Sequence, residues 1–162
     1  MVLNSAKIIA VLAACLCSVA NAVDLHRLWE DRCAECHGEA GDFARRFLNV
    51  TDDALVGRHA DRDLRQFMQN HYLKNNEIDA VLAMLYAQTT SGARFRKQCS
   101  GCHNKAAQLV RESVERRNGE LFGRSSGRPL ADYLPRHGGL QQDDVAFYLD
   151  LLNRIAREVH RP

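Results

Sequence analysis

The chain has 162 residues, of which 46% are hydrophobic and 26% charged, and its 22 basic and 20 acidic residues give a formal charge of +2. That length holds one ordinary domain or two very small ones, and the composition is that of a folded, soluble chain. The near balance of charge, without a basic or aromatic stripe, argues against nucleic acid as a partner.

Residues 1–22 differ from the rest. Lys7 precedes the apolar run IIAVLAACLCSVA, and Ala20-Asn21-Ala22 offers small residues for cleavage, which together read as an export signal. The run is too short to cross a bilayer comfortably. Leu12-Ala13-Ala14-Cys15 also resembles the lipobox of bacterial lipoproteins, an alternative route that would anchor the chain to a membrane through a lipidated Cys15. Cleavage after Ala22 removes one lysine and so brings the basic and acidic residues closer still to balance. It also leaves only Cys33, Cys36, Cys99 and Cys102. All four lie in two copies of Cys-x-x-Cys-His, within DRCAECHG and KQCSGCHN, so no cysteine remains for a structural disulfide.

Sliding the sequence against itself until Cys33 lies on Cys99 aligns the two motifs without a gap. The same offset carries Leu55-Val56-Gly57-Arg58 onto Leu121-Phe122-Gly123-Arg124, Leu64 onto Leu130, Phe67 onto Tyr133 and His71 onto His137. The mature chain therefore divides into residues 23–90 and 91–162, copies of one unit. Asp24 is placed to cap a helix carrying Leu25, Leu28, Trp29, Cys33 and Cys36, with Gly38 as its stop; Ser91 takes the capping part in the second copy. The stretch AAQLVRESVERRNG reads as a helix ended by Asn118-Gly119. Leu64, Phe67, Met68 and His71 follow at i, i+3, i+4 and i+7, which puts His71 on the apolar face of a short helix. In the second copy Pro135 should end the matching helix and place His137 just beyond it. An amphipathic helix closes each copy, through Ile78, Val81, Leu82, Leu85 and Tyr86 in one and Val145, Tyr148, Leu151, Leu152 and Ile155 in the other. No strand pattern emerges, so the expected fold is all-α.

A unit of about 66 residues is near the lower limit for an unaided hydrophobic core. Cys-x-x-Cys-His supplies a remedy. Two thiols one helical turn apart can form thioethers to the vinyl groups of a haem, and the adjacent histidine can ligate its iron. A redox disulfide leaves the histidine and the duplication unexplained. A shared zinc site is disfavoured because Cys36 and Cys99 stand several times farther apart than the usual gap between such cysteine pairs, about 15–20 residues. The motifs thus point to two covalently bound haem c groups.

On these motifs the chain resembles the c-type cytochromes, as a tandem of two small units like the class I cytochromes c. The resemblance implies two helical units, each wrapped round one haem, with the motif on the first helix, the last helix packed across it, and a distal ligand from the loop before the last helix. Methionine is the usual distal ligand in that family, and this chain departs from it. His37 to His71 and His103 to His137 have the same separation along the chain, and no other histidine outside the motifs is kept in both copies. The candidate axial pairs are therefore His37 with His71 and His103 with His137. Met68, whose counterpart is Leu134, and His59, whose counterpart is Ser125, are alternatives at the first haem. His26 and His160 read as surface residues. Arg58 and Arg124, each after a glycine, suit a haem propionate or simply a helix terminus. Trp29 and Phe95 read as packing residues.

Two strong protein ligands leave iron no open position, which favours electron exchange over substrate chemistry. The expectation is an exported, periplasmic electron carrier with redox-protein donors and acceptors, not an enzyme. A peroxidase-like haem enzyme, a gas sensor, or an electron-transfer subunit of a membrane-associated complex are the alternatives.

Overall fold

The computed structural model describes residues 23–58 and 63–161. The export signal, Cys15 and His59 lie outside these residues. The first copy runs α1 (Leu25–Arg32), α2 (Ala34–His37), α3 (Ala40–Phe47), β1 (Leu48–Thr51), β2 (Ala54–Gly57), α4 (Leu64–Gln69) and α5 (Asn75–Ser91). The second runs α6 (Arg94–Cys99), α7 (Ala106–Ser113), β3 (Val114–Arg117), β4 (Glu120–Gly123), α8 (Leu130–Tyr133), a 3-10 turn at Leu134–Arg136, and α9 (Gln142–Val159).

The two hairpins overturn the all-α expectation: the fold is mixed, mostly helical with two small antiparallel sheets. β1 pairs with β2 from Leu48↔Gly57 to Thr51↔Ala54, and β3 with β4 from Val114↔Gly123 to Arg117↔Glu120, the same register at the matching positions of the second copy. Asn118-Gly119 is consequently a hairpin turn and not the end of a helix. Both residues have positive φ, 48° and 90°, the geometry of the two-residue turn that matches strand twist. Asp52 and Asp53 hold the same conformation in the first copy, with φ of 48° and 59°. Four-residue strands such as VERR are too short and too charged to show an alternating pattern, and α7 stops at Ser113, well before the turn.

Capping follows expectation at one helix and not at its counterpart. The Asp24 carboxylate accepts the Arg27 backbone N–H at 2.9 Å and starts α1. Ser91 is instead the last residue of α5, and α6 begins only after Gly92, at φ 66°, breaks the chain. α4 ends at Gln69, so His71 stands in the turn beyond the helix, and no residue of α4 is buried.

The repeat also shifts at one point. α3 and α7, and both hairpins, keep the offset that carries Cys33 onto Cys99, whereas α5 starts at Asn75 and α9 at Gln142, one position later than that offset would place it. Glu77 and Asp144 each close a capping box by accepting the backbone N–H of Lys74 and Gln141. Gly138 and Gly139, at φ 66° and 67°, hold the extra residue, where the first copy has only Tyr72 at φ 58°. The second helix would otherwise meet its core rotated by one residue; with the shift, Ile78, Val81, Met84 and Leu85 correspond to Val145, Tyr148, Leu151 and Leu152, and all of these are buried.

Two apolar clusters result. Leu28, Trp29, Ala44, Val81, Met84 and Leu85 anchor the first, and Val110, Val114, Leu121, Tyr148, Leu152 and Ile155 the second. The halves meet where α1 packs on α9. His26 is buried there, not on the surface: its Nε2 lies 2.8 Å from Glu158, which also pairs with Arg154 at 2.7 Å. Arg111 Nε donates to Asp24 at 2.5 Å, Lys105 meets Glu30 at 3.2 Å, and Val23 N–H donates to the Arg161 carbonyl at 2.8 Å.

Candidate cofactor sites

Both Cys-x-x-Cys-His segments form the same single helical turn. The amides of Cys36 and His37 donate to the Cys33 carbonyl at 3.2 and 2.9 Å, and those of Cys102 and His103 to the Cys99 carbonyl at 3.1 and 2.9 Å. One turn of helix sets the thiols of each pair on one face, one above the other. The four cysteines are unbonded thiols, the first of each pair half-buried and the second exposed. Burial pushes the thiols of Cys33 and Cys99 up, so both are protonated at neutral pH. Among the described residues no three His, Cys, Asp or Glu side chains gather to chelate one ion.

His71 stands opposite His37 and His137 opposite His103. The ring centres are 5.8 Å apart in the first pair, with planes at 62°, and 5.9 Å apart in the second, at 44°. That separation leaves room for one metal ion to be held by both imidazoles, whose metal–nitrogen bonds would be about 2 Å each. Each distal-side histidine is placed by the same backbone bond: His71 N–H donates to the Met68 carbonyl at 3.1 Å and His137 N–H to that of Leu134 at 3.0 Å. Each also stacks on an aromatic ring four residues earlier, His71 on Phe67 at 4.6 Å and His137 on Tyr133 at 4.7 Å, both at 31°. Burial, and next the charge of facing His71, hold the pKa of His37 below the usual histidine range. Met68 packs against the first core.

In both copies the donor set fits a haem, and in the second so does the space. In the second copy a cavity of about 380 Å³ lies between the histidines, walled by Cys99, Cys102, Leu130 and Leu134. In the first, Phe43 and Phe47 replace Leu109 and Ser113 and stack at 5.3 Å, with Phe43 edge-on to His37 at 4.7 Å.

Several positioning contacts were not foreseen from the sequence. Trp29 Nε1–H donates to the Gly38 carbonyl at 2.9 Å, pinning the end of the first motif. Arg32 donates to Glu77 at 2.9 Å and Arg94 pairs with Asp144, so the first helix of each copy is tied to the capping box of its last. Arg58 and Arg124 sit at strand ends and not at helix termini. Arg58 Nε donates to the Leu48 carbonyl at 2.9 Å, and an Arg124 guanidinium N–H to the Val114 carbonyl at 2.9 Å, closing the base of each hairpin. Only part of each five-donor fork is used in this way.

No protein-family model matches the chain, and neither a curated protein nor a solved structure matches it.

Proposed function

We propose that the chain is an exported electron carrier holding two covalently attached haems, a dihaem c-type cytochrome. The observation that carries this reading is the facing imidazole pair beside two thiols on one backbone turn, built twice with ring separations of 5.8 and 5.9 Å. Cys33 with Cys36 and Cys99 with Cys102 would hold the porphyrins by adding S–H across their vinyl groups. His37 and His71, and His103 and His137, would be the axial ligands, and Arg58 and Arg124 would direct their spare N–H groups to propionates. A bound haem supplies a one-electron ferric/ferrous couple.

The protein's own part would be to supply two imidazoles to each haem, His37 with His71 and His103 with His137. Held by two imidazoles, a bound haem would have no vacancy for oxygen or peroxide, which would favour electron exchange over substrate turnover. Histidine in place of methionine favours the ferric state and lowers the potential. Stacking of Phe67 on His71 and of Tyr133 on His137 limits rotation of the distal-side rings. Partners would be redox proteins of the periplasm.

The test is the mass of the mature protein from a host that attaches haem, with absorption and electron paramagnetic resonance spectra of both oxidation states. Two haems per chain and bis-histidine signals are expected. One haem or none, a methionine–sulfur band from Met68, or rapid peroxide turnover would overturn the reading.

A further inference from the structure

A groove of about 970 Å³ runs between the two copies. Its wall carries Arg116 of β3, Arg124 just after β4, Arg157 in the last turn of α9 and Arg161 just beyond that helix; its floor is small and apolar, from Ala80, Ala83 and Met84 of α5. The acidic residues that line it are already engaged: Asp79 pairs with Arg65, Glu115 with Arg117, and Glu158 with His26 and Arg154. Among the described residues, none of those four wall arginines has a carboxylate partner; Arg124 is bonded to the Val114 carbonyl and assigned to a propionate, so Arg116, Arg157 and Arg161 are the forks left for a partner. Arg116, Arg124 and Arg157 are exposed. In a chain whose formal charge is only +2, this is local segregation of charge. Nor does the repeat require it, because Arg116 and Arg157 correspond to Val50 and Thr90 in the first copy.

We infer that this groove docks a carboxylate-rich segment of a partner protein. Unpaired guanidinium forks bind carboxylates in bidentate fashion, and a floor of alanines lets a partner's backbone approach, an apolar contact that an inorganic oxyanion would leave unused. Gly123, adjacent to Arg124, lines the second cofactor cavity, so a docked partner lies against the rim of that site. That the partner is a redox protein rests on the carrier reading; the docking does not.

The experiment measures fluorescence anisotropy of a labelled oligoglutamate peptide with the full chain, the charge-reversed R116E/R157E variant, and an R27E/R46E control whose exposed arginines lie outside the groove. Binding that weakens with salt, falls about ten-fold or more in R116E/R157E, and survives in the control is expected. If charge reversal prevents folding, R116Q/R157Q should show a smaller loss in the same direction. No binding, or equal loss in both variants, overturns the proposal. Displacement by inorganic phosphate beyond that by chloride of equal ionic strength assigns the groove to a small oxyanion instead. A wild-type dimer in sedimentation that R116E/R157E dissolves assigns it to a second copy. The anisotropy does not read iron, so a chain of haem-free mass that still binds the peptide would sink the carrier reading alone.

Discussion

Replacing Trp29 by phenylalanine tests how the first motif is held. The indole is 4% exposed, and its N–H is bonded to the Gly38 carbonyl. Gly38 itself is exposed, so water can reach the abandoned carbonyl, and the lost hydrogen bond costs about 1 kcal/mol. Full truncation of a buried tryptophan costs about 3–5 kcal/mol; a phenyl ring keeps the larger share of the packing, leaving about 1 kcal/mol. The sum of about 2 kcal/mol, at about 2–4 °C per kcal/mol for a chain of this size, predicts a Tm lower by about 4–8 °C in circular-dichroism melting. Trp29→Ala should fall further. On the proposed reading both haems should still be attached in Trp29→Phe, since Phe95 occupies the matching position in the second copy and Asn104 stands there in place of Gly38. A Tm change below about 1 °C, or a fall equal to that of Trp29→Ala, would refute the assignment of stability to that bond.

Three further outcomes are expected. If the chain carries the two haems proposed, His137→Ala should open the second to carbon monoxide while the first stays closed, and His71→Ala should do the reverse, both visible in the reduced absorption spectrum. Burial pushes the Asp24 carboxyl up, but hydrogen bonds from Arg111 and the Arg27 amide, with the Arg111 charge, outweigh it and hold the pKa below the usual carboxylate range. Stability from the pair is therefore present above the unfolded value of about 3.9 and lost as pH falls through the lower folded value. Asp24→Asn, which keeps a capping oxygen, should accordingly be about 1 kcal/mol less stable at neutral pH and converge with the wild type in acid melts. Gly119→Ala should cost about 1 kcal/mol from backbone strain at φ 90°, because an added Cβ meets only Arg116, at 4.0 Å, and urea titration will show it.

What the sequence alone determined is local or repeated. Duplication made the register of the two copies visible, and with it the equal spacing of His37–His71 and His103–His137, because identical spacing needs no knowledge of what the chain does between. Cys-x-x-Cys-His forms its turn from neighbours in the chain. The remainder depended on residues far apart. The hairpins escaped notice because strands of four residues are stabilised by cross-strand pairing and by packing of Leu48 and Val114 into the cores, not by an alternating pattern of their own. The one-residue shift at Gly138-Gly139 became legible only when the buried faces of α5 and α9 were compared. His26 looked like a surface histidine because its counterpart in the second copy is Gly92; its partner, Glu158, lies at the far end of the chain on a helix of the other copy. The groove between the copies belongs to tertiary structure altogether, since its arginines come from β3, the end of β4 and α9, and its floor from α5.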